Sequence, residues 1–140
     1  MKRKVVSILL AATMCLSLVA CGNGGTEKEK TASDGSKKDS GIKVAVVYSG
    51  NLGDKSYNDS CNEGAQRAAK ELGVEVKNLE GTTAEEWEAN FLAAAEGGYD
   101  LVICSSSNLE EYLKEYAPSY PDVKFAIIDS VVEGENVQSI

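Results

Sequence analysis

Four strand-length segments, Val44–Tyr48, Val74–Leu79, Leu101–Cys104 and Phe125–Ile128, alternate with longer stretches of helical period, and this alternation constrains the fold most. Val44-Ala45-Val46-Val47-Tyr48 is an unbroken apolar run, the pattern of a strand covered on both faces. Strands joined through helices cannot pair as hairpins. They require right-handed crossovers, so the expected class is α/β: a parallel sheet with helices on both faces.

The intervening segments carry their own punctuation. From Ser56 to Leu72, Tyr57, Cys61, Ala65, Ala68, Ala69 and Leu72 fall on one helical face, and Gly73 is the expected stop. Thr83-Ala84-Glu85-Glu86 reads as a capping box opening a second helix that runs to about Gly97. Its face of Trp87, Phe91, Ala94 and Ala95 has the spacing of a core. Asn108 is placed to cap a third helix through Tyr116, with Glu110 and Glu111 favourable in its first turn and Pro118 and Pro121 at its end.

Ahead of this unit, Lys2, Arg3 and Lys4 precede the apolar run Val5–Leu18, the layout of a signal peptide too short to span a bilayer. Leu18-Val19-Ala20-Cys21 resembles the lipobox of bacterial lipoproteins, which implies cleavage after residue 20 and a diacylglycerol on Cys21. Two or three acyl chains exceed the single chain that gives only marginal membrane binding. An ordinary signal peptide followed by an accidental Cys is the competing reading. Residues 21–41 are Gly-, Ser-, Lys- and acid-rich and read as a flexible tether with a reach of about 25 Å. The folded unit is then 42–140.

Losing the three cations of the leader takes the formal charge from -8 to -11. That disfavours nucleic acid, whose phosphates call for a basic face, and leaves lipid rather than charge to hold the chain on the extracytoplasmic face of the cell membrane. Of four cysteines, only Cys61 and Cys104 remain for the folded unit; both sit in apolar patterns and are expected as free thiols, although an exported protein could join them. With no His in the chain, neither a metal site nor a cofactor is expected.

A parallel sheet binds ligands beyond the carboxyl ends of its strands, where strand order reverses. That rule selects Ser49–Asn58, Glu80-Gly81, Ser105–Asn108 and Asp129-Ser130. The first loop, Ser49-Gly50-Asn51-Leu52-Gly53-Asp54-Lys55-Ser56, superficially suggests a phosphate loop, but Asp54 stands where Gly must precede the Lys, and its glycines are too close. Tyr57-Asn58 offers a stacking ring beside a bidentate amide, suited to a planar heterocycle or a sugar. The alternative is that Tyr57 merely heads the buried helix face.

The segments Gly53-Asp54-Lys55-Ser56-Tyr57-Asn58, with Glu63-Gly64, and Tyr120-Pro121-Asp122-Val123-Lys124-Phe125-Ala126-Ile127-Ile128-Asp129, with Val131-Val132 and Asn136-Val137, resemble the basic membrane protein family. Its members are lipid-anchored substrate-binding proteins of ABC importers, several of which bind purine nucleosides. The resemblance implies the N-terminal lobe of a periplasmic-binding-protein type I clamshell, with an ABC permease as partner and a small solute, a nucleoside, as ligand. It further implies that Tyr57 stacks on the base, that Asn58 hydrogen-bonds the ligand and that Asp129 contacts it. Two positions depart: Ser49 stands where Asp is common, and Ser106-Ser107 where Gly-Phe is common. Residues 42–140 amount to one lobe, so a fragment or truncated product without full-strength binding is expected. A flavodoxin-like flavin- or phosphate-binding protein using the serine run, and a ligand-sensing lobe, are the other readings. The absence of a catalytic set argues against an enzyme.

Overall fold

β1 (Lys43–Tyr48) lies in the middle of a five-stranded sheet, paired in parallel with β2 (Glu75–Glu80) on one side and β3 (Leu101–Cys104) on the other. β4 (Lys124–Ile127) and β5 (Val137–Ser139) extend the sheet beyond β3, also in parallel, giving the order β2-β1-β3-β4-β5. The computed structural model describes residues 39–140. The signal peptide, Cys21 and most of the tether lie outside the described residues. Ser40, near the end of the tether segment, donates from both its backbone N and Oγ to the carbonyl of Gly73 at 3.0 Å, tying the chain to the end of the first helix before β1 begins.

Three helices join the first four strands: α1 (Tyr57–Leu72), α2 (Ala84–Glu96) and α3 (Glu110–Tyr116). Because β1 leads outward to β2 and the chain then crosses back to β3, right-handed crossovers set α1 on one face and α2 and α3 on the other. Strand side chains alternate accordingly. Ala45, Val47, Val102, Cys104, Phe125 and Ile127 pack with Phe91, Ala94 and Leu113 of α2 and α3. Phe91 stacks on Phe125 with ring centroids 5.5 Å apart. Val44, Val46 and Tyr48 point the opposite way, toward Cys61 and Ala65 of α1.

The capping box forms as the sequence indicates: Glu86 N donates to Thr83 Oγ1, and the Glu86 carboxylate accepts from Thr83 N and Thr82 N. Gly73 ends α1 in the left-handed conformation at φ 73°, as a C-terminal glycine can without steric cost. Both cysteines are free. They sit on opposite faces of the sheet, Cys61 beside Val46 and Cys104 in the other core, so they cannot pair.

Two expectations are corrected. The α1 face is not core: no residue of α1 is buried, and Leu72 is 62% exposed. Its small side chains leave a cavity of about 540 Å³ between the helix and Val44, Val46, Leu101 and Ile103. Asn108 does not cap α3, because Ser107–Leu109 form a 3-10 turn after Ser106, and the α-helix starts only at Glu110. The turn uses Ser106 O to accept from Leu109 N, which leaves Asn108 inside it rather than at its start. Among the described residues no helix is long and apolar enough to cross a membrane.

Candidate functional site

Strand order reverses between β1 and β3, the position at which a parallel sheet binds its ligands beyond the carboxyl ends of the strands. Ser49 follows β1 and Ser106 lies just past β3; their hydroxyls share a hydrogen bond of 2.6 Å across the reversal. Buried Ser105 accepts from Ser49 N through its own hydroxyl. The serine run therefore fastens the two loops together. Ser107 is exposed in the 3-10 turn and takes no part in this pair.

The β1–α1 loop is knitted by carboxylates. Glu80, at the end of β2, accepts from Leu52 N at 2.7 Å; Asp59 accepts from Gly53 N at 2.7 Å and Lys55 N at 2.9 Å. Asp54 accepts from the amides of Ser56, Asn58 and Asp59 and from Asn58 Nδ2. The Ser56 amide is the chief of several bonds that hold the Asp54 carboxyl below its ordinary value. Backbone amides that a phosphate loop would aim at its ligand are here committed to the protein's own acids, in agreement with the sequence argument against a phosphate loop.

This loop sets the next two side chains. Tyr57 is 40% exposed, standing out from the helix rather than heading a buried face. Burial of its ring, then Cys61, then Asp129 push its phenol upward, so Tyr57 and Asp129 share one electrostatic neighbourhood. Asn58 is half-buried and lies over the backbone of Gly50, where an added Cβ would stand 2.6 Å from Nδ2. A side chain at position 50 would displace the Asn58 amide.

Asp129 is exposed and takes up the left-handed conformation at φ 60°, a region that Asp tolerates better than most residues. Its amide donates to Ile140 O at 3.1 Å, and the adjacent Ser130 hydroxyl donates to Glu110 at the start of α3. The Tyr48 hydroxyl reaches Asn78, whose amide donates to Asn62 of α1 at 2.8 Å. Burial, with Cys61 and Glu80, pushes the Tyr48 phenol up to about 12.

Ser49, Ser106, Tyr57, Asn58 and Asp129 thus all lie along the carboxyl edge of the sheet. Sequence reasoning gave no part to Asp59, placed Gly50 and Glu80 at the ligand edge without a role, and saw in Asp54 a deterrent to phosphate and one residue of a family motif. The spacing of Asp54 ahead of Ser56 and Asn58, that of an Asx turn before a helix, was the signal for its role. Among the described residues, no group of three or more acids or cysteines could hold a metal ion.

Residues 42–140 match the family described as Bmp, ABC transporter substrate-binding protein PnrA-like. The chain belongs to this family. A lobe of this shape also recurs in solved structures: an ABC transporter solute-binding protein of Aeropyrum pernix is 38% identical, with a TM-score of 0.65 over 70% of this chain and 28% of that one. A second, from Conexibacter woesei, is 27% identical with a TM-score of 0.64, covering 70% of this chain and 34% of that one. Among curated relatives, a lipoprotein of Pyrococcus abyssi is 36% identical over 93% of this chain and 31% of its own length. The ABC transporter nucleoside-binding protein BmpA of Lactococcus lactis is 26% identical over 99% of this chain and 40% of its own. The chain therefore spans about a third of the length of the relatives it matches. The fold is that of a solute-binding lobe, and the Bmp family and its structural neighbours are binding proteins rather than enzymes, which removes the flavodoxin-like enzyme reading.

Proposed function

We propose that this chain forms the N-terminal half of a solute-binding site serving an ABC importer, and that the solute is a nucleoside. The observation that carries the reading is the half-exposed ring of Tyr57 at the carboxyl edge of the sheet, with Asn58 next to it. The ring stacks on the base, while Asn58, Asp129 and the Ser49–Ser106 pair supply hydrogen bonds to base and sugar. Membership in the Bmp family and the nucleoside-binding relative support this assignment. Four carboxylates at this edge, Asp54, Asp59, Glu80 and Asp129, favour an uncharged solute over a phosphorylated one.

The same reading assigns a diacylglycerol to Cys21, an extracytoplasmic position at the membrane surface and a permease as the partner that receives the solute. The lipoprotein relative supports the anchor. One lobe provides one wall of the site, so affinity for the lobe by itself is expected to be weak. Calorimetry or chemical-shift titration with inosine, adenosine and free pentoses tests the ligand. Nucleoside binding that is largely lost in Tyr57→Ala is the expected result. Binding of a pentose but no nucleoside overturns the ligand assignment, and an unchanged dissociation constant in Tyr57→Ala removes the ring from the site.

A further inference from the structure

The two oxygens of the Asp54 carboxylate divide their work. Oδ1 accepts from Ser56 N at 2.8 Å and Asp59 N at 3.3 Å, whereas Oδ2 accepts from Asn58 N and Asn58 Nδ2, both at 3.1 Å. Ser56 stands at the N-cap of α1 yet makes no side-chain capping bond. The first-turn amides that a cap normally satisfies are met instead by Asp54. Through Oδ2 the same carboxylate grips the side chain of Asn58, and the Gly50 backbone closes on Nδ2 from another side.

That grip fixes how the Asn58 amide is turned. Its Nδ2 is occupied, and its Oδ1 is buried with no hydrogen-bond partner among the described residues. Exchanging the amide's oxygen and nitrogen would bring two acceptors together at Asp54, so the unpaired group stays the oxygen. A buried acceptor without a partner is costly in the folded state, and the bond from Nδ2 to Asp54 offsets part of that cost.

We propose that Asp54 is a positioning residue of the solute site: by holding the first-turn amides of α1 and the side chain of Asn58, it fixes where Tyr57 and Asn58 stand. This rests on the reading that Tyr57 and Asn58 face the solute. Asp54 itself touches no solute. It acts through the two residues that follow the cap.

Asp54→Asn removes the grip on Asn58 while keeping the cap on two of the three first-turn amides. The variant keeps an oxygen for Ser56 and Asp59 but puts an amide nitrogen where Asn58 now donates. Inosine affinity is expected to fall about tenfold or more, the scale of a lost charge-assisted hydrogen bond, with the melting temperature nearly that of the parent. Asp54→Ala is expected to lose affinity and stability together. Parental inosine affinity in Asp54→Asn overturns the proposal, as does an affinity loss that tracks stability alone across both variants. If the parent chain binds no nucleoside, the ligand assignment falls, and hydrogen exchange of the Asn58 side-chain amide then decides the positioning role: faster exchange in Asp54→Asn upholds it, and an unchanged rate overturns it.

Discussion

The two faces of the sheet are built by different means. Under α2 and α3 the packing is dry: Phe91, Ala94, Leu109, Leu113, Phe125 and Ile127 are all buried, and Phe91 stacks on Phe125. Under α1 only Val44, Val46 and Tyr48 are buried, the helix contributes no buried residue, and a cavity of about 540 Å³ remains. What burial does for α2 and α3, hydrogen bonds do for α1. Asp54, Asp59 and Glu80 fix its leading loop, and the Tyr48–Asn78–Asn62 chain fixes its flank. Stability is thus concentrated on one face and the candidate site hangs from the other, where geometry depends on polar contacts that a solute can also engage.

The sharpest attack on this contrast is Phe91→Ala, which should cost about 3–5 kcal/mol because it empties the middle of the packed face. Urea unfolding reads it, and a loss under about 1 kcal/mol would mean that the faces are not so unequal. Next in size is Thr83→Ala, which removes the cap that Glu86 N uses and should cost about 1 kcal/mol by the same assay. Leu72→Ala, on the open face, should shift stability by no more than about 0.5 kcal/mol. A cost like that of Phe91 would show that α1 is held by burial after all.

Acid provides a test specific to the site loop. The Asp54 carboxyl is held low in the folded chain, so the stability that it contributes is present above its unfolded value of about 3.9 and is lost as pH falls through the lower folded value. Protection of the Ser56, Asn58 and Asp59 amides, relative to their intrinsic exchange rates, should therefore fall as pH drops through that lower folded value, in step with protonation of Asp54. Unchanged protection there would remove the carboxylate from the loop. The smallest signal concerns thiols: Cys104, pushed up to about 12 by burial, should resist alkylation at pH 8 in the folded chain, while part-exposed Cys61 reacts first.

How far the fold could be read in advance varied with how local its cause was. The Thr83–Glu86 box forms because both partners lie within one turn, and the β1 run is apolar because two faces cover it. Asn108 had the right residue type for a cap, yet Ser106 starts a 3-10 turn and takes the position, a choice made by the path from β3 rather than by propensity. The spacing of Cys61, Ala65 and Ala68 on α1 was helical as expected, but spacing does not reveal how closely a helix sits on its sheet. At the candidate site, loop position and family resemblance pointed to Tyr57, Asn58 and Asp129, and the structure sets all three beyond the carboxyl ends of β1 and β4. The part played by Glu80 was not legible, since a carboxylate beside a polar loop has the same sequence signature whether it meets water or a backbone amide, and for Asp54 the signal was only the local spacing of an Asx turn.

By itself, then, the sequence determined the alternation of strands and helices, the caps within a single turn, the acidic balance and the lipobox-like segment ending at Cys21, because each depends on neighbours along the chain. Only the tertiary structure decided the order β2-β1-β3-β4-β5, the unequal covering of the two faces and the meeting of Ser49 with Ser106, 57 residues apart. Those are choices among long-range pairings. Crossover handedness and side-chain volume settle them only when the sheet has assembled.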